Sequence, residues 1–183
     1  MILDALKKVG VLTFETIKVI VVSLAIILPI RYFLIQPFYV EGASMEPSFF
    51  PHEYLIIDEI SYRFNNPARG DVVVFRYPRD PRQYYIKRVI GLPGDRIKIV
   101  DGTVYINDSA LTESYISELN LSQSSMDEMT VPANSFFVMG DNRGNSLDSR
   151  IIGPIDRSYF IGRVWIRGWP MTRVSVFSTP SYP

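Results

Sequence analysis

The stretch RIKIVDGTVYI, residues 96–106, decides the fold class. Two short apolar runs, 96–100 and 103–106, flank Asp101-Gly102. Both positions of that pair accept positive φ, the requirement of a two-residue hairpin turn, so two antiparallel strands are predicted. Outward from this hairpin the same pattern recurs: short apolar or alternating runs at 54–59, 71–76, 84–90, 135–139 and 162–166, punctuated by glycine, proline and aspartate. These read as the strands of a mainly antiparallel β domain. Residues 107–130, rich in Ser, Glu and Asp, read as an exposed insertion with little core of its own. Together with the hairpin they make a small annex over about 96–130.

Ahead of residue 37 the pattern is helical. Residues 19–30, VIVVSLAIILPI, carry no charge, but a helix of that length reaches only about 18 Å against a hydrocarbon core of about 30 Å. Extended to 13–35 it reaches about 35 Å, at the expense of including Glu15, Lys18 and Arg31. Lys18 and Arg31 can snorkel to the two interfaces, Tyr32 and Phe33 suit the boundary, and Gln36-Pro37 stops the helix. A buried helix of a soluble domain is the plainer alternative, against which stands the lack of a polar stripe. No A-x-A-like cleavage site follows, so a retained single-pass transmembrane anchor is expected in residues 1–36. Lys7, Lys8 and Lys18 precede the span and Arg31 alone lies close behind it. This asymmetry favours a cytoplasmic N-terminus and an extracytoplasmic domain at 37–183.

Composition narrows the chemistry. A chain of 183 residues with 47% hydrophobic content has ample material for a core. Its 19 basic and 19 acidic residues give a formal net charge of zero, without the summed positive field of nucleic-acid binders, so no nucleic-acid partner is expected. With no cysteine and one histidine, disulfides and thiolate metal sites are excluded, and no metal or cofactor is expected.

The segment VEGASMEPSFF, residues 40–50, places Ser44 in a small-residue turn. A serine hydroxyl needs a neighbouring base. His52, in FFPHEY, reads as a surface histidine. The other suitable base is a lysine held neutral. Lys7, Lys8 and Lys18 belong with the anchor, and Lys98 adjoins the exposed Asp-Gly turn, which leaves Lys87 in YYIKRVIGLPGD. In a strand Lys87 shares a face with Tyr85 and Val89, surroundings that disfavour the ammonium form. The same residues suit a lysine snorkelling from an ordinary strand. A third segment, FFVMGDNRGNSLDSR at 136–150, crowds Gly, Asn, Asp, Ser and Arg after an apolar strand, as a rigid hydrogen-bonded loop would.

Taken together, VEGASMEPS (40–48), RGDVVVFRYP (69–78), YIKRVIGLPGD (85–95) and MGDNRGNSLDSR (139–150), with GRVWIRGWP (162–170) as a weaker fifth match, resemble the type I signal peptidases. These are membrane-anchored Ser-Lys enzymes. The resemblance implies Ser44 as nucleophile, Lys87 as general base and Ser146 as the serine that orients the lysine amine. It implies that Asn142, Asp148 and Arg150 order the last loop. Phe38, Val40, Met45 and Ile86 match positions lining small P1 and P3 pockets, and Tyr85 joins the substrate-binding set. Gly42 stands where some members carry an oxyanion-hole serine, which leaves the second oxyanion donor unassigned, and Gly144 stands where an aspartate is common. The resemblance further implies signal-peptide-bearing preproteins as substrates, the lipid bilayer and the secretion translocon as partners, and the cell membrane as location, with the thylakoid membrane as an alternative. Two rivals are a self-cleaving Ser-Lys repressor-type peptidase, disfavoured by the apolar N-terminus and the long last segment, and an inactive anchored β scaffold.

Overall fold

The computed structural model describes residues 2–33, 36–177 and 179, with the side chains at 2–9, 11, 29–33 and 36 outside the description. The chain divides into two compact units, residues 1–36 and 37–183. The first is helix α1, Ile2–Phe33. Its described apolar side chains are exposed along their length, from Leu12, Phe14 and Ile17 to Ile26, Ile27 and Leu28. Among the described residues no helix is long and apolar enough to cross a membrane. Residues 12–28 account for about 26 Å of helix against about 30 Å of hydrocarbon. The side chains of Arg31, Tyr32 and Phe33, expected at an interface, those of Lys7 and Lys8, and residues 34–35 ahead of the expected stop at Gln36-Pro37 lie outside the described residues.

The second unit is built from strands, with two single-turn helices between them. In chain order these are β1 (Gln36–Tyr39), β2 (Tyr54–Asp58), α2 (Ser61–Phe64), β3 (Val72–Tyr77), β4 (Asp80–Gly91), β5 (Arg96–Val100), β6 (Thr103–Ile106) and β7 (Ser109–Ala110). There follow β8 (Met126–Thr130), β9 (Ser135–Met139), α3 (Ser149–Ile152), β10 (Ile155–Asp156), β11 (Phe160–Trp169) and β12 (Ser175–Val176). An eight-stranded sheet runs β1-β2-β11-β3-β4-β9-β10, with β12 on β11, and a four-stranded sheet runs β7-β6-β5-β8. The hairpin that decided the fold class pairs Val100 with Thr103, and Asp101 and Gly102 both adopt positive φ, 48° and 82°.

Continuous apolar sequence on β3 means that both faces of the large sheet are covered. Val72 and Val74 enter one buried cluster with Val40, Met45, Phe49 and Leu55. Val73 and Phe75, pointing the opposite way, enter a second with Val89, Phe136 and Val138. A third cluster joins Ile97, Ile99 and Val104 of the small sheet to Ile90, Phe137 and Met139.

The insertion differs from expectation. Much of it is exposed, but β8 pairs with β5, and Leu111, Met126 and Met129 pack on the third cluster. A strand on β5 satisfies an edge that the hairpin alone would leave open. Its two apolar residues, Met126 and Met129, are three apart rather than two, in keeping with the register shift in its pairing with β5, and so it escaped notice in the sequence.

Candidate active site

The turn that carries Ser44 is fixed from beneath by its neighbours in sequence. Val40 N–H donates to Glu53 O at 2.9 Å and His52 N–H to Val40 O at 2.9 Å, closing the loop. Met45 and Phe49, four residues apart, are both buried, and Phe49 N–H donates to Met45 O at 2.9 Å. Gly42 has φ +78° with open space where a Cβ would stand, so a serine there would have room but an unfavourable backbone. Ser44 is left half-buried at the rim.

Lys87 comes to it from β4. The side chain is 4% exposed. Its Nζ lies 2.8 Å from Ser44 Oγ, donates to Ile86 O at 2.8 Å, and stands 5.4 Å from the centre of the Tyr85 ring. Burial lowers the amine from 10.5 to about 8, against the opposing pull of the Asp148 and Asp141 carboxylates.

Residues 139–150 close the site from the other side. Asn142 N–H donates to Ser44 O at 3.0 Å, and Asn142 Nδ2 to Ala43 O at 3.1 Å. The loop therefore holds the Ser44 turn by its backbone. Arg150 grips Asp148 with two parallel bonds of 2.8 Å, and Asp148 accepts the Gly140 N–H at 3.0 Å. Burial alone would raise the Asp148 carboxyl; Arg150, the Gly140 N–H and the Ser146 hydroxyl outweigh it and hold the carboxyl low. Ser146 Oγ is buried beside that carboxylate.

Two contributors were not read from the sequence. Gly140 is one: a Cβ there would come within 2.3 Å of Ser146 Oγ and 2.4 Å of Ser44 O, so only a bare backbone lets the two segments meet. The other is Arg88, beside Lys87, which binds Asp141 through Nε at 2.8 Å and Nη2 at 2.6 Å. Arg88 could have been suspected from the acidic GDN triplet, since a buried carboxylate needs a cation.

A cleft of about 770 Å³ opens beside the pair, lined by Phe38, Val40, Tyr85 and Ile86 among others. Met45 does not line it. That residue is 1% exposed and belongs to the core, because the turn after Ser44 points it inward. β4 pairs with β3 between Asp80 and Arg88 but with β9 only from Arg88 onward. Residues 82–87, which line the cleft, thus present an edge without a strand partner among the described residues. His52 is exposed and bonds to the Tyr39 hydroxyl. Lys98 Nζ, on a side chain 38% exposed, is 3.9 Å from Asp108. Among the described residues no group of three His, Asp or Glu could hold a metal ion.

The family model described as signal peptidase, peptidase S26, matches residues 13–169. A signal peptidase I of Leptolyngbya laminosa is 40% identical over 173 residues, 91% of this chain and 84% of that protein. A probable signal peptidase I-2 of Synechocystis is 37% identical over 88% of this chain and 75% of that protein. A crystal structure of a signal peptidase I from Enterococcus faecalis V583 aligns with a TM-score of 0.48 at 33% identity, covering 54% of this chain and 97% of that one.

Proposed function

This chain belongs to the signal peptidase family, peptidase S26, and from that premise we propose that it is a membrane-bound endopeptidase that removes signal peptides from exported preproteins with a Ser44-Lys87 dyad. The observation that carries the dyad is the 2.8 Å approach of Lys87 Nζ to Ser44 Oγ at the edge of a cleft. The separation is right for proton transfer, and an amine brought down to about 8 is neutral in a useful fraction of molecules near neutral pH.

In this mechanism the neutral Lys87 amine takes the Ser44 proton as Oγ attacks the scissile carbonyl carbon. The ammonium so formed gives that proton to the leaving amine as the C–N bond breaks. Water then cleaves the acyl-enzyme with Lys87 again as base. Ser146 is assigned the orientation of the amine. Its hydroxyl, buried in the 139–150 loop beside the Asp148 carboxylate it helps to hold low, supports that reading. Asn142, Asp148 and Arg150 hold the loop that presents it.

Substrate would enter as an extended chain pairing with the free edge of β4. Alternate side chains, P1 and P3, would then face the cleft beside Phe38, Val40 and Ile86, and P2 would face away. For the anchor, the exposed apolar surface of α1 supports insertion into a bilayer. Lys7, Lys8 and Lys18 ahead of the span favour a cytoplasmic N-terminus, with the unit at 37–183 outside.

The test is cleavage of a preprotein by the full chain in detergent, with Ser44→Ala as control. A mature fragment with wild type and none with the control is expected. Equal processing by both would refute the assignment.

A further inference from the structure

The segment between β7 and β8 does more than complete the small sheet. Glu113 receives two guanidinium bonds from Arg143, one from Nη1 at 2.8 Å to Oε2 and one from Nη2 to Oε1. Both side chains are nearly inaccessible, at 2% for Arg143 and 10% for Glu113. Arg143 Nε in turn donates to Gly140 O at 3.2 Å, and Gly140 is the residue whose lack of a Cβ leaves room for both Ser44 O and Ser146 Oγ. The Arg143 N–H donates to Asn120 O at 2.9 Å, and Asn120 Nδ2 donates to Glu46 O at 3.0 Å, two residues past Ser44. Tyr115 donates to Glu113 Oε1 at 2.5 Å and lays its ring 3.9 Å from the guanidinium of Arg88. Arg88 follows Lys87 and binds Asp141.

The segment therefore reaches three parts of the site at once: the 139–150 loop, the Ser44 turn and the β4 residue next to Lys87. Among the described residues none of 107–130 lines the cleft, so it has no direct contact with a substrate held there. We propose that Glu113, with Tyr115 and Asn120, is a positioning latch that sets the Ser44-Lys87 geometry from outside the cleft. This rests on the peptidase reading above. Physically, the latch acts because Arg143 is a buried cation whose position is dictated by its carboxylate. Moving it moves Gly140, against which both Ser44 O and Ser146 Oγ abut.

The experiment compares full-length wild type, Ser44→Ala, Glu113→Gln and Asn120→Ala on a peptide with Ala at P3 and P1, recording kcat, KM, the pH profile of kcat and Tm. Glu113→Gln keeps the shape but weakens the hold on Arg143. A displacement of about 1 Å in a catalytic group costs about a hundredfold, so a fall in kcat of about ten- to a hundredfold is expected, with KM within about twofold. The limb of the pH profile that reports Lys87 should also move, because Asp141 and Asp148 in the same loop act on its amine. Asn120→Ala should lower kcat about threefold to tenfold by the same route; it decides the matter if Glu113→Gln does not fold. A lowered Tm with unchanged kcat and an unmoved pH limb would make the contact merely structural and overturn the latch, as would a loss confined to KM. Wild type and Ser44→Ala report on the peptidase reading independently. If wild type cleaves nothing, that reading falls and the latch with it; if wild type cleaves and Glu113→Gln cleaves equally, the latch alone falls.

Discussion

The proposed role of Lys87 as base makes a quantitative demand on the pH profile. Burial brings Lys87 from 10.5 to about 8, so at pH 7 about one molecule in ten holds a neutral amine. At the unperturbed value the fraction would be about one in three thousand. Thus kcat/KM for a peptide substrate should rise about tenfold per pH unit below about 8 and level off above it. The same burial has a stability consequence of fixed sign. The folded value lies below the unfolded one, so between about 8 and 10.5 the unfolded chain binds more protons and stability rises with pH. Below about 8 the penalty is fully present, about 3 to 4 kcal/mol at about 1.4 kcal/mol per pH unit. Lys87→Met should therefore abolish cleavage and raise stability at pH 7 by up to about that amount, less the cost of leaving Ile86 O and Ser44 Oγ without their partner. The assay is chemical unfolding of both proteins at pH 7 and pH 10, where the difference should shrink. An activity limb near 10.5 would refute the buried-lysine argument. So would an activity limb that vanishes in His52→Ala, or a Lys87→Met protein less stable than wild type at pH 7.

Ser44→Ala and Lys87→Ala should each abolish cleavage, and the double variant should be no worse than either, because members of a catalytic unit are not additive; His52→Ala should keep most activity in the same assay. Gly140→Ala would place a methyl 2.3 Å from Ser146 Oγ and 2.4 Å from Ser44 O, and should lose at least about a hundredfold in kcat. Near-normal kcat in that variant would show that the two segments need not meet so closely. In a peptide series with Ala, Leu or Phe placed singly at P3, P2 and P1, Phe at P1 should block cleavage and P2 should tolerate all three. Intolerance confined to P2 would reverse the assigned strand orientation.

The sequence by itself determined the β architecture and carried the segments that mark the family. The Asp101-Gly102 turn and the short apolar runs are local signals, governed by φ preference and by alternation along a strand, and each strand they marked is present. With one histidine and few lysines, elimination left Lys87 as the candidate base, whereas Ser44 as candidate nucleophile came from the resemblance of the segment around it. What a one-dimensional reading could not supply was distance and direction. It put Met45 in the substrate pocket, whereas the turn after Ser44 sends that side chain into the core. It passed over Gly140 because a steric need at a crossing of two segments leaves no local pattern. It took 107–130 for a peripheral insertion, since Glu113, Tyr115 and Asn120 look like solvent residues until Arg143, Arg88 and Glu46 are brought against them from far along the chain. The lowered basicity of Lys87 was decided at the same level: neighbours in a strand can suggest burial, but only the packing of other segments removes the water that would keep the amine charged.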